Sequence, residues 1–307
     1  MGYEEPHAAQ AQDYSVRSRF FTPPPQFDGC FTTFYHLKLD VPGEQTVSDA
    51  LQPEWANIRF FDTGRPTSHI GSSSVSDARF NATGPSSQAC EFELGSSRMW
   101  GIGFLPLGWA RFISADAYDL ANLVCDGAAH PVFAKFEALS DVLCDPAREL
   151  EDQLAHIVAE MERLMRPNRD EAKITRIHAA LVSGEEHSVS DLADAAGMSI
   201  RTLERMCHRY FGFAPKLLLR RQRFMRSLSA FMLEASRHGG ARWTEAMDAE
   251  YHDQAQFTRE FSEFMGMTPS AYAACPHPVL ASFMEARARL WGSAAQTLDR
   301  PVRDGEE

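Results

Sequence analysis

Two segments in the second half of the chain share one pattern of apolar and polar positions. Within residues 188–215 the apolar side chains recur at helical spacing in two short runs, with Gly197 between them and Ser199 just before the second run. A glycine can adopt the left-handed backbone that a sharp turn needs, and a serine at this place can cap a helix. The pattern therefore predicts a helix, a turn and a second helix. The buried stripe of that second helix is expected to consist of Leu203, Met206, Cys207 and Tyr210.

The same pattern returns 54 residues later in the chain. This offset aligns Arg205 with Arg259, and it places Asp253, a second residue able to cap a helix, opposite Ser199. It also aligns Leu203 with Phe257, Cys207 with Phe261, Tyr210 with Phe264, Gly212 with Gly266 and Pro215 with Pro269. Two such units in tandem suggest two recognition helices on one face of DNA, about 34 Å apart.

These repeated residues resemble the AraC/XylS family of transcriptional regulators. The resemblance covers about residues 174–274 and rests on SIRTLER from Ser199 and GFAP from Gly212 in the first unit. In the second unit it rests on YHDQAQFTREF from Tyr251 and GMTPSAY from Gly266. It implies a DNA-binding domain with two helix-turn-helix units joined by a long helix. The second unit departs from the family in having Glu250 and Tyr251 where the family usually has Gly-Phe, so its turn is expected to differ.

The resemblance also assigns the residues that meet DNA. Positions that usually face bases correspond to Arg201, Glu204 and Arg205 in the first unit and to Gln254, Ala255, Thr258 and Arg259 in the second. Arginine suits guanine in the major groove, and glutamine suits adenine. The full set of expected DNA-binding residues is Ser199, Arg201, Thr202, Glu204, Arg205, Gln254, Ala255, Gln256, Thr258 and Arg259.

The first half of the chain has the pattern of a β-rich domain. Aromatic and β-branched runs at residues 30–39, 57–62, 89–94 and 98–105 predict strands, separated by Gly, Ser, Pro and Asn segments. Glycines within a strand mark a bend or a close approach of another group, which is the interpretation of Gly101 and Gly103. By analogy with the family, this domain is expected to be a cupin-like sensor. The overall fold class is therefore α+β, with a β-rich N-terminal domain before an all-α domain.

A heptad-like stripe follows the β-rich region. Leu150, Leu154, Ile157, Met161 and Leu164 advance by four, three, four and three residues. The stripe spans about two heptads, so it predicts either a dimer seam or a helix packed on the sensor domain. If it is a seam, Ile157→Asp is expected to give monomers that keep a folded DNA-binding domain.

The distribution of charge is compatible with DNA binding by the second half, and the cysteine spacing argues against a disulfide-rich or metal-binding protein. The net charge is −12, but residues 1–179 hold about 15 basic and 25 acidic side chains whereas 180–275 hold about 11 and 12. Arg220, Arg221, Arg223 and Arg226 form a local basic cluster that would favour DNA phosphates. The six cysteines are scattered without a C-x-x-C pair, so neither a disulfide scaffold nor a metal framework is expected.

The sequence shows no pattern typical of an enzyme, a membrane protein or a secreted protein. No apolar run approaches the roughly 20 residues of a membrane span, and the start lacks a signal pattern. His36, His69 and His130 are isolated, and Gly71-Ser-Ser-Ser lacks the context of a nucleophile elbow. We therefore expect a cytoplasmic protein with no catalytic residues, no metal and no cofactor.

The hypothesis is a ligand-responsive transcription factor. Its expected parts are a disordered leader (1–16), a sensor and dimerisation domain (17–165), a linker (166–170), the DNA-binding domain (171–275) and a C-terminal helix with a polar tail (276–307). Its expected partners are double-stranded DNA, a small-molecule effector and a second copy of the chain. The alternatives are a constitutive DNA-binding protein whose front domain only dimerises, and an enzyme with a targeting domain.

The front domain contains many aromatic residues on or beside its predicted strands, and this favours an apolar or aromatic effector. The same aromatics could instead fill its core, since a pocket and a core differ only in whether space remains. His36 and Arg59 are candidates for orienting the ligand. The aromatics concerned are Phe34, Tyr35, Trp55, Phe60, Phe61, Trp100, Phe104 and Trp109.

Overall fold

The computed structural model describes residues 14–238 and 242–301 of the chain. Over these residues a front half rich in strands is followed by a helical half, which confirms the predicted fold class. The strands are β1 (Ser15–Phe21), β2 (Phe31–Asp40), β3 (Val47–Leu51), β4 (Ala56–Thr63), β5 (Thr67–Ile70), β6 (Ser73–Ser76), β7 (Phe80–Thr83), β8 (Cys90–Leu94), β9 (Ser97–Phe104) and β10 (Val124–Asp126).

The strands form two antiparallel sheets. The larger has the order β1-β2-β9-β4-β7-β10, and the smaller has the order β3-β8-β5-β6. Along β4 the side chains alternate: Ile58 and Phe60 belong to the main apolar core, whereas Arg59 and Phe61 face a cavity on the other side of the sheet. The large sheet therefore has one face that packs on helices and one face that lines a cavity.

The four strands predicted from the sequence correspond to β2, β4, β8 and β9, within two residues at each end. The missed strands include β5 and β6, whose sequences TSHI and SSVS are too short and too polar to show a clear alternation. The predicted disordered leader is corrected at its end, because Ser15 and Val16 lie in β1 and pair with Asp40 and Leu39 of β2. The rest of the leader, residues 1–13, lies outside the described residues.

Gly101 and Gly103 of β9 stand where another side chain approaches closely, as predicted. A Cβ at Gly101 would lie 2.0 Å from the ring of Tyr35, and one at Gly103 would lie 2.4 Å from Oγ1 of Thr32. Both distances are far below van der Waals contact. Glycine at position 101 therefore leaves room for Tyr35, whose hydroxyl accepts a hydrogen bond from Nε of Arg59 at 3.0 Å.

The helices begin after β9. In the front half they are α1 (Pro106–Phe112), α2 (Ser140–Leu143) and α3 (Leu150–Leu164). In the second half they are α4 (Glu171–Ser183), α5 (Val189–Ala195), α6 (Ile200–Phe211), α7 (Pro215–His238), α8 (Trp243–Ala246), α9 (Gln254–Met265), α10 (Pro269–Ala274) and α11 (Leu280–Trp291). None of the described helices is long and apolar enough to cross a membrane.

Helix α3 carries the heptad-like stripe, and its centre is not a dimer seam. Ile157 and Met161 are fully buried in the chain's own core. Trp100 of β9 donates a hydrogen bond from Nε1 to Oε1 of Gln153 at 2.7 Å, which joins the helix to the large sheet. The packed-helix alternative is therefore correct. Ile157→Asp would bury a carboxylate in the core and destabilise the fold rather than release folded monomers.

The segment expected to be an interdomain linker is tied to its neighbours. Arg166 N donates to the carbonyl of Arg111, and Asn168 Nδ2 donates to the carbonyl of Ala110 at 3.1 Å. Arg111 also holds Glu171, the first residue of α4, through two guanidinium–carboxylate bonds of 2.9 and 2.6 Å. These contacts attach the start of the helical half to α1.

The C-terminal segment (residues 277–301) is packed on the front half, although a polar tail was predicted. Its helix, α11, matches the prediction, but the residues after it are largely buried, including Gln296 and Thr297. Asn57 Nδ2 of β4 donates to Oε1 of Gln296 at 2.9 Å. The Asp49 carboxylate accepts bonds from the backbone N–H groups of Val279 and Leu280 at 2.9 and 2.8 Å and so caps the start of α11.

Candidate DNA interface and a cavity in the front half

The two predicted reading helices are α6 and α9, and both obey the 54-residue offset at each end. Ser199 caps α6 by accepting a bond from the N–H of Thr202, and Asp253 caps α9 in the same way from Gln256. Both helices end at a glycine in the left-handed conformation, Gly212 with φ 84° and Gly266 with φ 71°. Thus the sequence repeat is a structural repeat.

The predicted DNA-binding residues lie on the accessible sides of these two helices. Ser199, Arg201, Thr202, Glu204 and Arg205 lie at the start and along the outer face of α6. Gln254, Ala255, Gln256, Thr258 and Arg259 lie at the start and along the outer face of α9, and the last four match Arg201, Thr202, Glu204 and Arg205. All of them are exposed or half-buried, while Leu203, Met206, Cys207 and Tyr210 are buried as expected. Each helix therefore presents a polar face with an arginine at the matched positions 205 and 259.

The arginine cluster of α7 does not form a DNA-binding surface. Arg220 and Arg223 both contact the buried carboxylate of Glu260, at 3.1 and 2.7 Å. Arg226 pairs with Asp248 at 2.5 Å and with Glu250 at 2.6 Å. These arginines hold the second unit against the connecting helix. These three arginines form ion pairs within the protein. The prediction that the cluster binds DNA phosphates is therefore wrong.

Arg221, the fourth member of the cluster, is fully buried between the two halves of the chain. Its guanidinium lies 3.9 Å from the ring centroid of Trp55, and it donates to the carbonyl of Ser86 at 2.9 Å. Burial lowers the pKa of Arg221 to about 9. A buried guanidinium that bonds front-half carbonyls makes α7 part of the interface with the front half.

Both helix-turn-helix units contact one loop of the front half, between β7 and β8. A Cβ at Gly212, at the end of α6, would lie 3.0 Å from the side chain of Pro85. Ala89 N donates to the carbonyl of Phe264, near the end of α9, at 2.8 Å. The loop is flanked by Thr83 and Cys90, which line the cavity. The cavity wall and the two reading helices are therefore connected through a few residues of backbone.

The cavity lies between the two sheets and beneath α11. About 80 Å³ of it is open to a water-sized sphere, and the wider space, which includes open solvent at its mouth, is about 860 Å³. Its walls are mainly apolar, with a few polar groups that include Arg59 and Arg287. The lining residues are Tyr35, Leu37, Leu51, Gln52, Glu54, Arg59, Phe61, Pro66, Ser68, Asn81, Thr83, Cys90, Phe92, Leu94, Met99, Val124, Val279, Leu280, Phe283, Arg287, Ala294 and Gln296.

Only two of the eight aromatic residues named as candidates for a ligand pocket line this cavity. Tyr35 and Phe61 line it. The others fill the core: Phe34, Trp55, Phe60, Trp100, Phe104 and Trp109. Of the two polar candidates, Arg59 lines the cavity, whereas His36 points to the other face of β2, where its ring lies 5.4 Å from that of Trp100. Burial lowers the pKa of His36 to about 4.

Sequence reasoning missed several cavity residues. Asn81 belongs to a four-residue strand, and Gln52 lies just after a five-residue strand, so neither sits in a long readable pattern. Arg287 belongs to a helix beyond the repeated units. Among the described residues, no group of three or more His, Cys, Asp or Glu side chains is placed to hold a metal ion.

Comparison with known proteins agrees with this reading of the second half. A family model described as a helix-turn-helix domain matches residues 192–274, which include α6 and α9. No curated protein sequence matches the chain.

Several solved structures resemble this one at low sequence identity. One is ToxT from Vibrio cholerae, with 12% identity and a TM-score of 0.43 over 85% of this chain and 97% of that one. Another is ToxT from Vibrio cholerae with a bound unsaturated fatty acid, with 11% identity and a TM-score of 0.40 over 86% and 96%. A third is the AraC-like transcriptional activator CuxR, with 14% identity and a TM-score of 0.26 over 75% and 90%.

The second half of the chain is therefore a DNA-binding domain with two helix-turn-helix units. The predicted resemblance to AraC/XylS regulators is confirmed for this domain. The chain is a DNA-binding transcription regulator.

Proposed function

We propose that the polar faces of α6 and α9 read two neighbouring stretches of one DNA site, and that a small apolar molecule held in the front half controls this binding. Arg205 and Arg259 are the main base-reading side chains, because they are exposed and occupy matched positions of the two helices. Ser199, Arg201, Thr202 and Glu204 assist on α6. Gln254, Ala255, Gln256 and Thr258 assist on α9.

The observation that carries the effector proposal is the mainly apolar cavity between the sheets, in which about 80 Å³ is open to a water-sized sphere. One buried water needs about 10–15 Å³ on the same measure, so the space is large enough for more than a single water. Its apolar lining, from Leu37, Phe61, Phe92, Leu94 and Met99, favours an apolar body. A filled core, which the constitutive alternative requires, would leave no such space.

The route from cavity to DNA is short. Glu54 lines the cavity and pairs with Arg59 at 2.5 Å, while its backbone carbonyl accepts a bond from Ser86 N at 2.9 Å. Ser86 in turn accepts the bond from Arg221 of α7, the helix that joins the two units. A molecule that shifts Glu54 would alter the contacts that position α7. Differential binding of this kind couples two sites.

The test uses the full chain, titrated with aliphatic and aromatic carboxylates and alcohols while melting temperature and tryptophan fluorescence are followed. A compound at 100 times its dissociation constant should stabilise the fold by about 2.7 kcal/mol. The same compound should change the affinity for the cognate DNA site. If no compound shifts melting, the effector proposal fails and the constitutive DNA-binding alternative takes its place. The proposed homodimer is tested separately by the mass of the protein in solution.

A further inference from the structure

Three polar groups in the cavity wall lack hydrogen-bond partners within the described part of the protein. They are Oε1 of Gln52, Oδ1 of Asn81 and Nε of Arg287. The three residues are 8%, 4% and 1% exposed, and all three line the cavity. A buried polar group without a partner is costly, and an enclosed ligand is one way to supply the partner. Two amides and one guanidinium N–H therefore offer hydrogen bonds to whatever occupies the space.

The full charges at the cavity are already matched. Arg59 pairs with Glu54 at 2.5 Å, and Asn57 Nδ2 donates to the other carboxylate oxygen of Glu54. Arg287 pairs with Asp299, and its NH1 donates to the carbonyl of Ser293 at 2.8 Å. A ligand carboxylate would have to compete with these buried carboxylates or lie unpaired in a mainly apolar space. Burying an unpaired charge is far more costly than burying a hydrogen-bonded amide.

We propose that the effector is an uncharged amphiphile, with an apolar body and a neutral head group that carries both a hydrogen-bond donor and an acceptor, such as an amide. Gln52 and Asn81 bind the donor of the head group, and Nε of Arg287 donates to its acceptor. The O and N atoms of an Asn or Gln side chain can exchange places by rotation of the amide. A head group with both a donor and an acceptor can bond to Gln52 and Asn81 in either orientation. This inference rests on the proposed effector function and specifies the chemistry of its ligand.

The C-terminal segment supplies part of this specificity. Phe283 of α11 packs between the rings of Phe20 and Tyr35, at 5.0 Å from each, and is half-buried at the cavity. Arg287 lies one turn further along the same helix. Both residues follow the matched helix-turn-helix region, which ends at residue 274. The ligand site is therefore completed by residues that lie beyond the DNA-binding domain in the chain.

The experiment compares molecules with one carbon skeleton and different head groups. Decanamide, decanoate, methyl decanoate and undecane are each titrated into the full chain at neutral pH, and their dissociation constants are measured by calorimetry. Decanamide is expected to bind about tenfold or more tighter than the other three, because it alone among them has a neutral head with a donor and an acceptor. Tighter binding of decanoate would overturn the inference while leaving the effector proposal intact. Equal binding of all four would show that water satisfies the three polar groups, and would also overturn it.

A pair of variants locates the recognition. Asn81→Leu is expected to reduce the preference for decanamide over undecane about tenfold. Its matched control is Gln45→Leu, which removes an exposed amide away from the cavity and should leave the preference unchanged. If Asn81→Leu fails to fold, Gln52→Leu gives the same test at the other amide. A preference unchanged in the folded variant would contradict the assignment. If neither this series nor its naphthalene counterparts, naphthamide and naphthoate, bind the wild type, the effector proposal itself fails.

Discussion

The two helix-turn-helix units present similar outer faces but are stabilised differently inside. In the first, α5 is 7 residues long with a capping box, and Gly197 makes the turn with φ 66°. In the second, α8 is only 4 residues long, and no residue between α8 and α9 (residues 247–253) has a positive φ. Position 206 is a buried Met in the first unit, and the matched position 260 is a buried Glu in the second.

The ion pairs of Glu260, Asp248 and Glu250 with the arginines of α7 therefore stabilise the second unit in addition to its apolar packing. Tyr251, which departs from the family pattern, also belongs to this network, because its hydroxyl donates to Glu260 at 3.0 Å. The second unit keeps an apolar core of Phe257, Phe261, Phe264 and Met265, and it adds a buried network of charges where the first unit has Met206. Such a network is strongly destabilised when one member is lost.

The largest expected effect on stability comes from replacing Glu260 of the second unit with methionine, the residue at the matched position 206 of the first unit. Glu260→Met removes one partner and leaves the charges of Arg220 and Arg223 without it, so the free energy of unfolding should fall by about 3–5 kcal/mol. Urea denaturation of the full chain measures this loss.

The matched control is Glu263→Met. Glu263 also pairs with Arg220, but its side chain is 51% exposed. Loss of an exposed pair should cost less than about 1 kcal/mol. Equal losses in the two variants would mean that the buried network is not what supports the second unit.

The next largest effect is expected on DNA binding, when the exposed arginines of α6 and α9 are removed one at a time. Arg205→Ala and Arg259→Ala should each weaken binding to the cognate site by about 1–3 kcal/mol and relax the preference at one or two base pairs. Fluorescence anisotropy with cognate and random duplexes measures both quantities. An equal loss of affinity on the two duplexes would show that these arginines contact phosphates instead of bases. A loss for only one arginine would show that only one unit reads sequence.

A smaller effect concerns a buried histidine behind the first unit. His178 of α4 lies 5.7 Å from the ring of Trp55, and burial, with the nearby charge of Arg221, lowers its pKa to about 3. The unfolded chain takes up the proton near pH 6.5, so acid favours the unfolded state and stability falls as pH drops below that value. Between pH 7 and 5 the expected loss is about 2 kcal/mol from His178.

Urea denaturation at both pH values of the wild type and His178→Gln provides the measurement. The variant should lose less stability on acidification than the wild type, because its side chain does not titrate. His36→Gln serves for comparison, since burial also lowers the pKa of His36. An identical pH dependence of wild type and His178→Gln would contradict the assignment of this loss to His178.

The sequence was informative where structure is determined locally. The bounds of α6 and α9 followed from helical spacing, the caps at Ser199 and Asp253 and the glycines at 212 and 266, which all act within one or two turns. The cavity could not be predicted in this way. Asn81, Gln52 and Arg287 come from distant parts of the chain, and only the packing of two sheets and α11 brings them to one space.

The arginines of α7 show the same limit from the opposite direction. Their closeness in sequence suggested a phosphate-binding patch, but a helix turns its side chains to different sides. Arg221 faces the front half, whereas Arg220, Arg223 and Arg226 face acidic residues of the second unit. Charge clustering along a chain thus says little about the charge presented at a surface until the partners of each residue are known.

The smallest expected effect is the difference in stability lost when the N-cap residue of α6 or of α9 is removed. Ser199 accepts from Thr202 N at 3.3 Å, whereas the Asp253 carboxylate accepts from Gln256 N at 2.6 Å. Loss of an N-cap costs about 1 kcal/mol, and a negative charge at the start of a helix adds favourable interaction with its dipole. Asp253→Ala should therefore destabilise the fold more than Ser199→Ala, and both should exceed the exposed control Ser270→Ala of α10. Denaturation midpoints in low and high salt measure the order and its cause, because screening weakens the charge contribution of Asp253 alone. If Ser199→Ala proved the more costly at low salt, the charged cap would not be what compensates the second unit for its short first helix.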